Sequence, residues 1–351
     1  MLHALKVGKL IDDYKLIIKI GRGSFGQIFY VENIHNKLFY AMKLESNHNE
    51  RKFLQFEQSI YKQIDPSVYF PEFVKYGKTK HYNFLVMEVF GPSLETLCRT
   101  NDDRHLSLST TLRLSIEMLH CINEYHKNKF IHRDIKPGNF VIRNSKIHPV
   151  VLIDFGLSRQ YINNNNGDLI KARERPGYVG TNMYASVNAY SGLELSQRDD
   201  LFSWFYSVIK ILTSQLPWDE FVEDRCKTYH SKILTSIEQL TCKMPRQFKN
   251  IYDIITALAI NETPDYNIIN DLIIQAMEEN GCKWNDPYDW EMISNEEIEK
   301  ISIIPMNTYK ENDFPDKNVL ETDIELIDDI ENESNIQESL NDDTKNCCFI
   351  A

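Results

Sequence analysis

Two short segments constrain this chain more than any other part of it, because each sets charged side chains between apolar ones. Residues 130–140 read FIHRDIKPGNF, and residues 153–156 read IDFG. Asp154 follows Asp134 by twenty positions, and the residues around 141 and 150 have the apolar character of two short strands. A fold that uses both segments as one site has to bring these two carboxylates together.

The residue types in these segments match what phosphoryl transfer requires. That reaction needs a positioned nucleophile, clamped phosphates and metal ions that neutralise the developing charge. Asp134 is placed to accept the proton of a substrate hydroxyl, and Lys136 can reach the transferring phosphate as a point charge. Asn139 and Asp154 can hold two Mg²⁺ ions against the phosphates. One such residue alone would read as a solvated surface charge, whereas the ordered set indicates a catalytic site.

Residues 21–26 read GRGSFG, a G-x-G-x-x-G pattern that is a weak signal on its own. A dinucleotide-binding fingerprint would continue into a helix, but residues 27–32, QIFYVE, alternate as a strand does. We expect the glycines to cap a hairpin whose backbone amides approach the phosphates of ATP, because glycine has no Cβ to block them. An ordinary flexible hairpin is the alternative. The predicted contacts are Ile20, Gly21, Arg22, Gly23, Ser24, Phe25, Gly26, Gln27 and Ile28.

Lys43 follows this hairpin at strand period, and we expect it to reach the α- and β-phosphates. A glutamate on a following helix would hold its amine by an ion pair. Glu57 is preferred because the apolar residues around it give that helical turn a packed face. Glu50 is the competitor.

Four further residues are assigned supporting roles. His132 and Phe155 are expected to pack the catalytic loop, residues 130–140, against the segment at 153–156. Arg133 is expected to bind either a phosphate on the segment after Asp154 or a carboxylate. Asp200 opens a strongly apolar helical segment. Its carboxylate should therefore accept hydrogen bonds from backbone amides, and those of the catalytic loop are the best candidates.

The spacing of apolar residues divides the chain into a β-rich part and a helical part. Strand-like alternation covers 14–31, 38–45 and 82–90, with a helical pattern at 50–64. After a Gly-Pro dipeptide at 91–92, helical patterns occupy 108–126, 201–213, 252–259 and 268–277. This order predicts an α+β, two-lobed fold with a small β-rich N-lobe that holds one helix and a larger, mainly helical C-lobe. The predicted boundaries are an N-terminal extension at 1–13, the N-lobe at 14–90, the C-lobe at 91–304 and an acidic disordered tail at 305–351.

The net charge of −12 belongs mainly to the tail. Residues 311–351 contain thirteen Asp or Glu and two lysines, a balance of −11, which leaves −1 for the rest of the chain. No long basic run favours nucleic acid, and no run of about 18 apolar residues is present to span a membrane. The scattered cysteines lack metal-ligand spacing and are typical of a reducing compartment, so we expect a cytoplasmic protein.

Together these motifs resemble a eukaryotic protein kinase over residues 14–300 and, within that fold, the casein kinase 1 group. Residues 180–188 read GTNMYASVN where most kinases close the activation segment, here residues 154–188, with Ala-Pro-Glu. The group is also resembled in LPW at 216–218, PDY at 264–266 and DW at 289–290. Within the group the chain is most similar to the tau-tubulin kinases, in STTLRL at 109–114, DFGLSRQY at 154–161, ASVNA at 185–189 and MPRQF at 244–248.

The resemblance implies a Ser/Thr protein kinase that uses ATP and Mg²⁺ and is active without phosphorylation of its activation segment. It places Met87 beside the adenine, the backbone of Glu88 and Phe90 at the adenine edge, and Thr181 beside Asp134. A catalytically inactive pseudokinase that acts as a scaffold is the alternative, although the expected lysine and carboxylates are all present. A small-molecule kinase fits less well, because residues 180–188 match kinases that act on proteins.

The chain departs from the group at Met183, where relatives usually carry an arginine that helps to bind acidic or phosphorylated substrates. Lys171, Arg173 and Arg175 are the candidates to replace it; without them a preference for prephosphorylated substrates would be lost. The expected partners are protein substrates, acidic or cytoskeletal, and the kinase itself is expected to be a monomer.

The residues at 347–351, CCFIA, fit the C-a-a-X prenylation pattern at Cys348, where a final alanine favours farnesyl. One lipid binds membranes only weakly, and the acidic upstream segment supplies no basic contacts. Palmitoylation of Cys347 is therefore the expected second anchor, which would place the protein on the cytoplasmic face of a membrane. Ser334, Ser339 and Thr344 lie in acidic contexts, so the tail is also a candidate for autophosphorylation, with a plain spacer as the alternative.

Overall fold

An antiparallel sheet of six strands forms the N-terminal part of the protein. The computed structural model describes residues 5–23, 26–48, 52–101, 103–143, 148–163 and 167–292. The strands are β1 Leu10–Ile11, β2 Tyr14–Gly23, β3 Gly26–Asn33, β4 Phe39–Ser46, β5 Phe73–Lys78 and β6 Tyr82–Met87. Across the sheet they lie in the order β1-β2-β3-β4-β6-β5.

Alternation of apolar residues along these strands produces two buried faces. Leu16 and Phe29 lie in a core on one face of the sheet. Tyr30 and Ala41 belong to a second core on the other face. Helix α1 (Phe53–Tyr61) covers this second face with its own leucine and isoleucine, so it is held directly above the strand that carries Lys43.

The remainder of the described chain is mainly helical, which together with the sheet confirms the predicted α+β, two-lobed architecture. Two short antiparallel pairs, β7 with β10 and β8 with β9, lie between the helices. Their bounds are β7 Phe130–Ile131, β8 Phe140–Ile142, β9 Val150–Leu152 and β10 Arg159–Gln160. The helices are α2 Leu94–Thr100, α3 Leu108–Lys127, α4 Val187–Tyr190, α5 Gln197–Thr213, α6 Arg225–Leu234, α7 Ile237–Leu240, α8 Gln247–Ala257 and α9 Tyr266–Glu279.

Helix α3 positions the site, because it ends at Lys127, immediately before β7 and the catalytic loop. It begins after Ser107, whose hydroxyl caps the helix by accepting the backbone N–H of Thr110. It packs against α5, α9 and β9, and the indole of Trp204 on α5 donates to the Ser115 carbonyl at 3.0 Å. The catalytic loop therefore follows a helix that is packed against several other elements.

The apolar pattern does not predict strand β5 or helix α6. β5 is a half-buried edge strand, and a register shift between Phe73 and Lys75 interrupts its alternation. Helix α6 is largely polar and leaves Ile233 and Leu234 exposed, so no buried apolar stripe marks it. The helix predicted at 252–259 is α8, which begins earlier and ends before Leu258, where the backbone becomes extended.

A buried arginine fastens the segment after α9 to helix α3. Arg113 is 1% exposed and donates to the carbonyls of Asp286 at 2.6 Å and Pro287 at 3.0 Å. Its guanidinium also lies 3.9 Å from the centroid of the Tyr288 ring. Asp289 accepts from the backbone N–H and hydroxyl of the residue that caps α3. The described chain thus ends in a stretch that is clamped to the start of α3.

Several predicted features lie outside the described residues. They are Ser24, Phe25, Glu50, and the tail at 305–351 with Cys347 and Cys348. The predicted lobe and tail boundaries therefore stay predictions, as does the lipid anchor. Across the described ranges, none of the helices combines the length and apolar content that a bilayer crossing requires.

Candidate active site

The glycine-rich residues lie in the hairpin formed by β2 and β3. Arg22 pairs with Gln27, and Gly23 pairs with Gly26, so a strand follows the glycines and the dinucleotide-binding alternative is excluded. A Cβ on Gly26 would lie 2.1 Å from the carbonyl oxygen of Leu44 on β4. Only glycine therefore allows the hairpin to lie this close to the neighbouring strand. Ile20, Gly21 and Ile28 lie on the same two strands.

Lys43 lies on β4 and joins the N-terminal sheet to two carboxylates. Its Nζ is 2.5 Å from Oε1 of Glu57 on α1 and 3.0 Å from Oδ1 of Asp154. Burial alone would lower the pKa of the Lys43 amine, but Asp154 and Glu57 raise it above its ordinary value. Burial would likewise raise the pKa of Asp154, yet Lys43 holds it below its usual range. Lys43 and Asp154 are thus both charged at neutral pH.

Asp134 is held by three side chains at the centre of the catalytic loop. Its Oδ1 accepts the hydroxyl of Thr181 at 2.7 Å, and its Oδ2 accepts Nζ of Lys136 at 2.5 Å. Lys136 also donates to the Thr181 hydroxyl at 2.8 Å. The amide nitrogen of Asn139 donates to the backbone carbonyl of Asp134 at 2.8 Å. These contacts fix the carboxylate in one orientation.

The oxygens of Asn139 and Asp154 fit a magnesium ion. The side-chain nitrogen of Asn139 is hydrogen-bonded to Asp134. The Oδ1 atom of Asn139 is therefore the group left to bind a ligand. Carboxylate and amide oxygens are the hard ligands that Mg²⁺ takes, with phosphates and water completing the octahedron. Within the described ranges no cluster of three or more His, Cys, Asp or Glu forms a separate metal cage.

The predicted adenine contacts lie at the end of β6. Met87 is buried there, within hydrogen-bond reach of the Tyr61 hydroxyl. The backbone N–H of Glu88 donates to the Glu72 carbonyl at 2.9 Å, so this N–H is already paired. The ring of Phe90 packs with two valines of β8 and β9.

Asp200, on α5, holds the backbone of the catalytic loop through hydrogen bonds. It accepts the backbone N–H of His132 at 2.6 Å and that of Arg133 at 2.8 Å, which confirms the predicted hydrogen bonds to this loop. His132 in turn lies 3.1 Å from the Ile153 carbonyl, and its ring packs edge-on against Phe155. The loop and the 153–156 segment are therefore packed together as predicted.

The family model described as "Protein kinase domain" matches residues 14–280. The chain belongs to the protein kinase family. Members of this family use ATP and a divalent metal ion and act on proteins. A probable serine/threonine-protein kinase of Dictyostelium discoideum is 33% identical over 291 residues, which is 82% of this chain. The chain spans 58% of the length of that relative.

The kinase has two positions in its catalytic segments with left-handed backbone. Arg133 has φ 65° and Asp154 has φ 71°, values that residues other than glycine rarely adopt. The guanidinium of Arg133 donates to the carbonyls of Leu157 and Ser158 at 2.7 and 3.2 Å. These bonds tie the loop to the backbone after Asp154. Among the described residues Arg133 forms no ion pair with a carboxylate, and a phosphate partner stays a prediction.

Arg173, one candidate to replace the arginine that is missing at Met183, pairs with a carboxylate of the same chain. Its Nε and Nη2 donate to Glu194. A role for Arg173 in substrate binding stays a prediction. Lys171 and Arg175 are exposed and remain candidates. The Met183 side chain packs against the main core.

Sequence reasoning missed two groups that support the kinase's catalytic loop. His126, at the end of α3, lies 2.8 Å from Oδ2 of Asp200, and its other ring nitrogen bonds the Tyr266 hydroxyl. Tyr266 belongs to the PDY motif at 264–266, which had carried only a family resemblance. A buried histidine at a helix end gives no sequence signal of such a role.

Proposed function

We propose that this kinase is an active serine/threonine protein kinase of the casein kinase 1 group, similar to tau-tubulin kinases, that uses Mg²⁺-ATP. The similarity to the serine/threonine kinase of Dictyostelium supports the choice of hydroxyl substrates. The motifs at 180–188 and 264–266 support the choice of group.

In this proposal the hydroxyl oxygen of a substrate serine or threonine attacks the γ-phosphorus of ATP. A new O–P bond forms as the bond between the γ-phosphorus and the bridging oxygen of ADP breaks, and the hydroxyl proton passes to Asp134. Thr181 orients Asp134, and Lys136 lies beside it to neutralise charge on the transferring group. Lys43, fixed by Glu57, binds the α- and β-phosphates. Asn139 and Asp154 would hold Mg²⁺, which supplies charge neutralisation at the phosphates.

One observation favours an active kinase over an inactive scaffold. The ion pair between Lys43 and Glu57 is closed at 2.5 Å while Asp154 also contacts Lys43 and Asp134 is held by Thr181. An ion pair of this kind and a metal-binding aspartate in place are both required for an active kinase. A scaffold has no need to keep all of these buried charges paired.

The test is phosphate transfer from Mg²⁺-ATP to casein and to tubulin. The wild type, Asp134→Asn and Asp271→Asn are compared, the last being the same chemical change on the exposed face of α9. We expect transfer by the wild type and Asp271→Asn and almost none by Asp134→Asn. Binding of ATP without transfer by the wild type would instead favour the scaffold.

A further inference from the structure

Three arginines from separate segments lie close together beside the catalytic loop. Arg133 lies in the loop, Arg159 begins β10, and Arg173 lies in the activation segment. Because β10 pairs with β7, Arg159 is opposite Ile131 and therefore close to Arg133. Burial, with the positive charges of Arg173 and Arg159, lowers the pKa of Arg133 to about 9. The cluster is thus strongly electropositive.

Glu194, in the turn between α4 and α5, supplies a carboxylate to this cluster. Its Oε2 accepts the backbone N–H of Arg173 at 3.0 Å and the Nε–H at 2.9 Å, and its Oε1 accepts Nη2 at 2.7 Å. Nε of Arg159 lies 3.4 Å from the same Oε1. The side chain is only 10% exposed. Although burial opposes ionisation, the hydrogen bonds from Arg173 lower the pKa of Glu194 to about 2.

Glu194 is also the point at which part of the activation segment is attached. Within the described chain, the hydrogen bonds that residues 171–177 make with the rest of the protein all end on Glu194. Lys171, Glu174 and Arg175 on this stretch are exposed. A few residues further on, Thr181 reaches Asp134. Glu194 thus ties down the stretch before Thr181, while hydrogen bonds with Val222, Trp218 and Lys232 hold the residues after it.

We propose that Glu194 is a positioning residue, whose carboxylate acts through Arg173 and Arg159 to hold the activation segment with Thr181 beside Asp134. Clustered arginines bind oxyanions well, and in kinases controlled by phosphorylation the oxyanion is a phosphorylated residue of the activation segment. In this kinase a glutamate from another segment fills that place. The inference rests on the proposed kinase function and assigns a residue to its control.

The first experiment compares Glu194→Ala and Glu194→Gln with wild type and with Glu174→Ala, an exposed glutamate of the activation segment. We expect kcat to fall by about 10-fold or more in both Glu194 variants, because Arg173 and Arg159 lose the negative charge that they share. KM for ATP should not change, because the ion pair of Lys43 is untouched. Glu174→Ala should behave as wild type.

The second experiment uses sulfate to replace the missing carboxylate. In Glu194→Ala, sodium sulfate should restore kcat with saturation, whereas sodium chloride at equal ionic strength should not. Glu194→Gln should not respond, because its amide fills the space. Trypsin supplies a readout that needs no activity. Cleavage after Lys171 or Arg173 should be faster in Glu194→Ala than in wild type, and sulfate should slow it.

Wild-type kcat and trypsin resistance in both Glu194 variants would overturn the proposal. So would a loss of activity that sulfate reverses neither in kcat nor in trypsin cleavage, because a general loss of folding predicts that result. A wild type that transfers no phosphate refutes the proposed function, while the trypsin and sulfate measurements still decide the role of Glu194. Should Glu194→Ala not fold, Glu194→Gln, which keeps the volume, carries the trypsin comparison.

Discussion

Replacing Asp200 by asparagine keeps the size of a side chain that is 2% exposed but removes its charge. Oδ2 of Asp200 accepts from His132 N and His126 Nε2, whereas Oδ1 accepts only from Arg133 N. An asparagine can keep its oxygen at the Oδ2 position, and its NH₂ then faces the N–H of Arg133. That orphaned N–H costs about 1–3 kcal/mol, and each of the two remaining bonds loses about 1 kcal/mol with an uncharged acceptor. The expected loss in the free energy of unfolding is therefore about 3–5 kcal/mol.

Thermal unfolding measures this loss directly. For a domain of this size, each kcal/mol shifts Tm by about 2–4 °C, so Asp200→Asn should lower Tm by about 10 °C. Asp271→Asn, on the exposed face of α9, is the matched control and should stay within about 0.5 kcal/mol of wild type. Equal shifts in the two variants would refute the reasoning, because they would show that the buried acceptor is worth no more than a surface carboxylate.

The difference between Asp200→Asn and wild type should also depend on pH. Burial alone would raise the pKa of Asp200, but the hydrogen bond from His126 and the backbone amides hold it below its ordinary value. A carboxylate with a lowered pKa stabilises the fold above its unfolded pKa of about 3.9 and loses that contribution as the pH falls further. The gap in Tm should therefore be constant from pH 5 to 8 and narrow below about pH 4.

Three further variants test the proposed site. Thr181→Ala should lower kcat by about 10-fold with little change in KM for ATP, because Asp134 loses an orienting hydrogen bond, and Thr181→Ser should restore it. Glu57→Gln should lower kcat/KM for ATP by about 10-fold, because Lys43 loses a charged partner; an unchanged value would refute the role of that ion pair. Gly180→Ala should destabilise the domain by about 1–3 kcal/mol in thermal unfolding, because Gly180 has φ +106° and a Cβ there would lie 2.8 Å from a catalytic-loop carbonyl; an unchanged Tm would contradict this.

The sequence predicts those parts of the kinase in which neighbouring residues carry the signal. Strand alternation reveals the hairpin after Gly21, and helical spacing around Glu57 selects it as the partner of Lys43 at a separation of fourteen residues. Asp200 is predictable for a physical reason, since a carboxylate that enters an apolar helix has to find donors.

Contacts between distant segments could not be predicted in this way. The pairing of Arg173 with Glu194, and of His126 with Tyr266, depends on how helices and loops pack, and no periodicity records it. At Arg173, for example, the sequence gives no sign of the partner carboxylate twenty-one positions later. Helix α6 was not predicted because it is polar on average and its apolar residues Ile233 and Leu234 are exposed.

The clamp of Arg113 on the segment after α9 determines where further chain can reach. It holds Asp289 at the first turn of α3, whereas the catalytic loop follows the last turn of that helix. Twenty helical residues span about 30 Å, so the last described residues lie near the end of α3 that is farthest from Asp134. An extended chain covers about 3.3 Å per residue. Any sequence joined after Met292 therefore needs a tether of about ten residues before it can enter the same molecule's active site, whereas a neighbouring molecule faces no such limit.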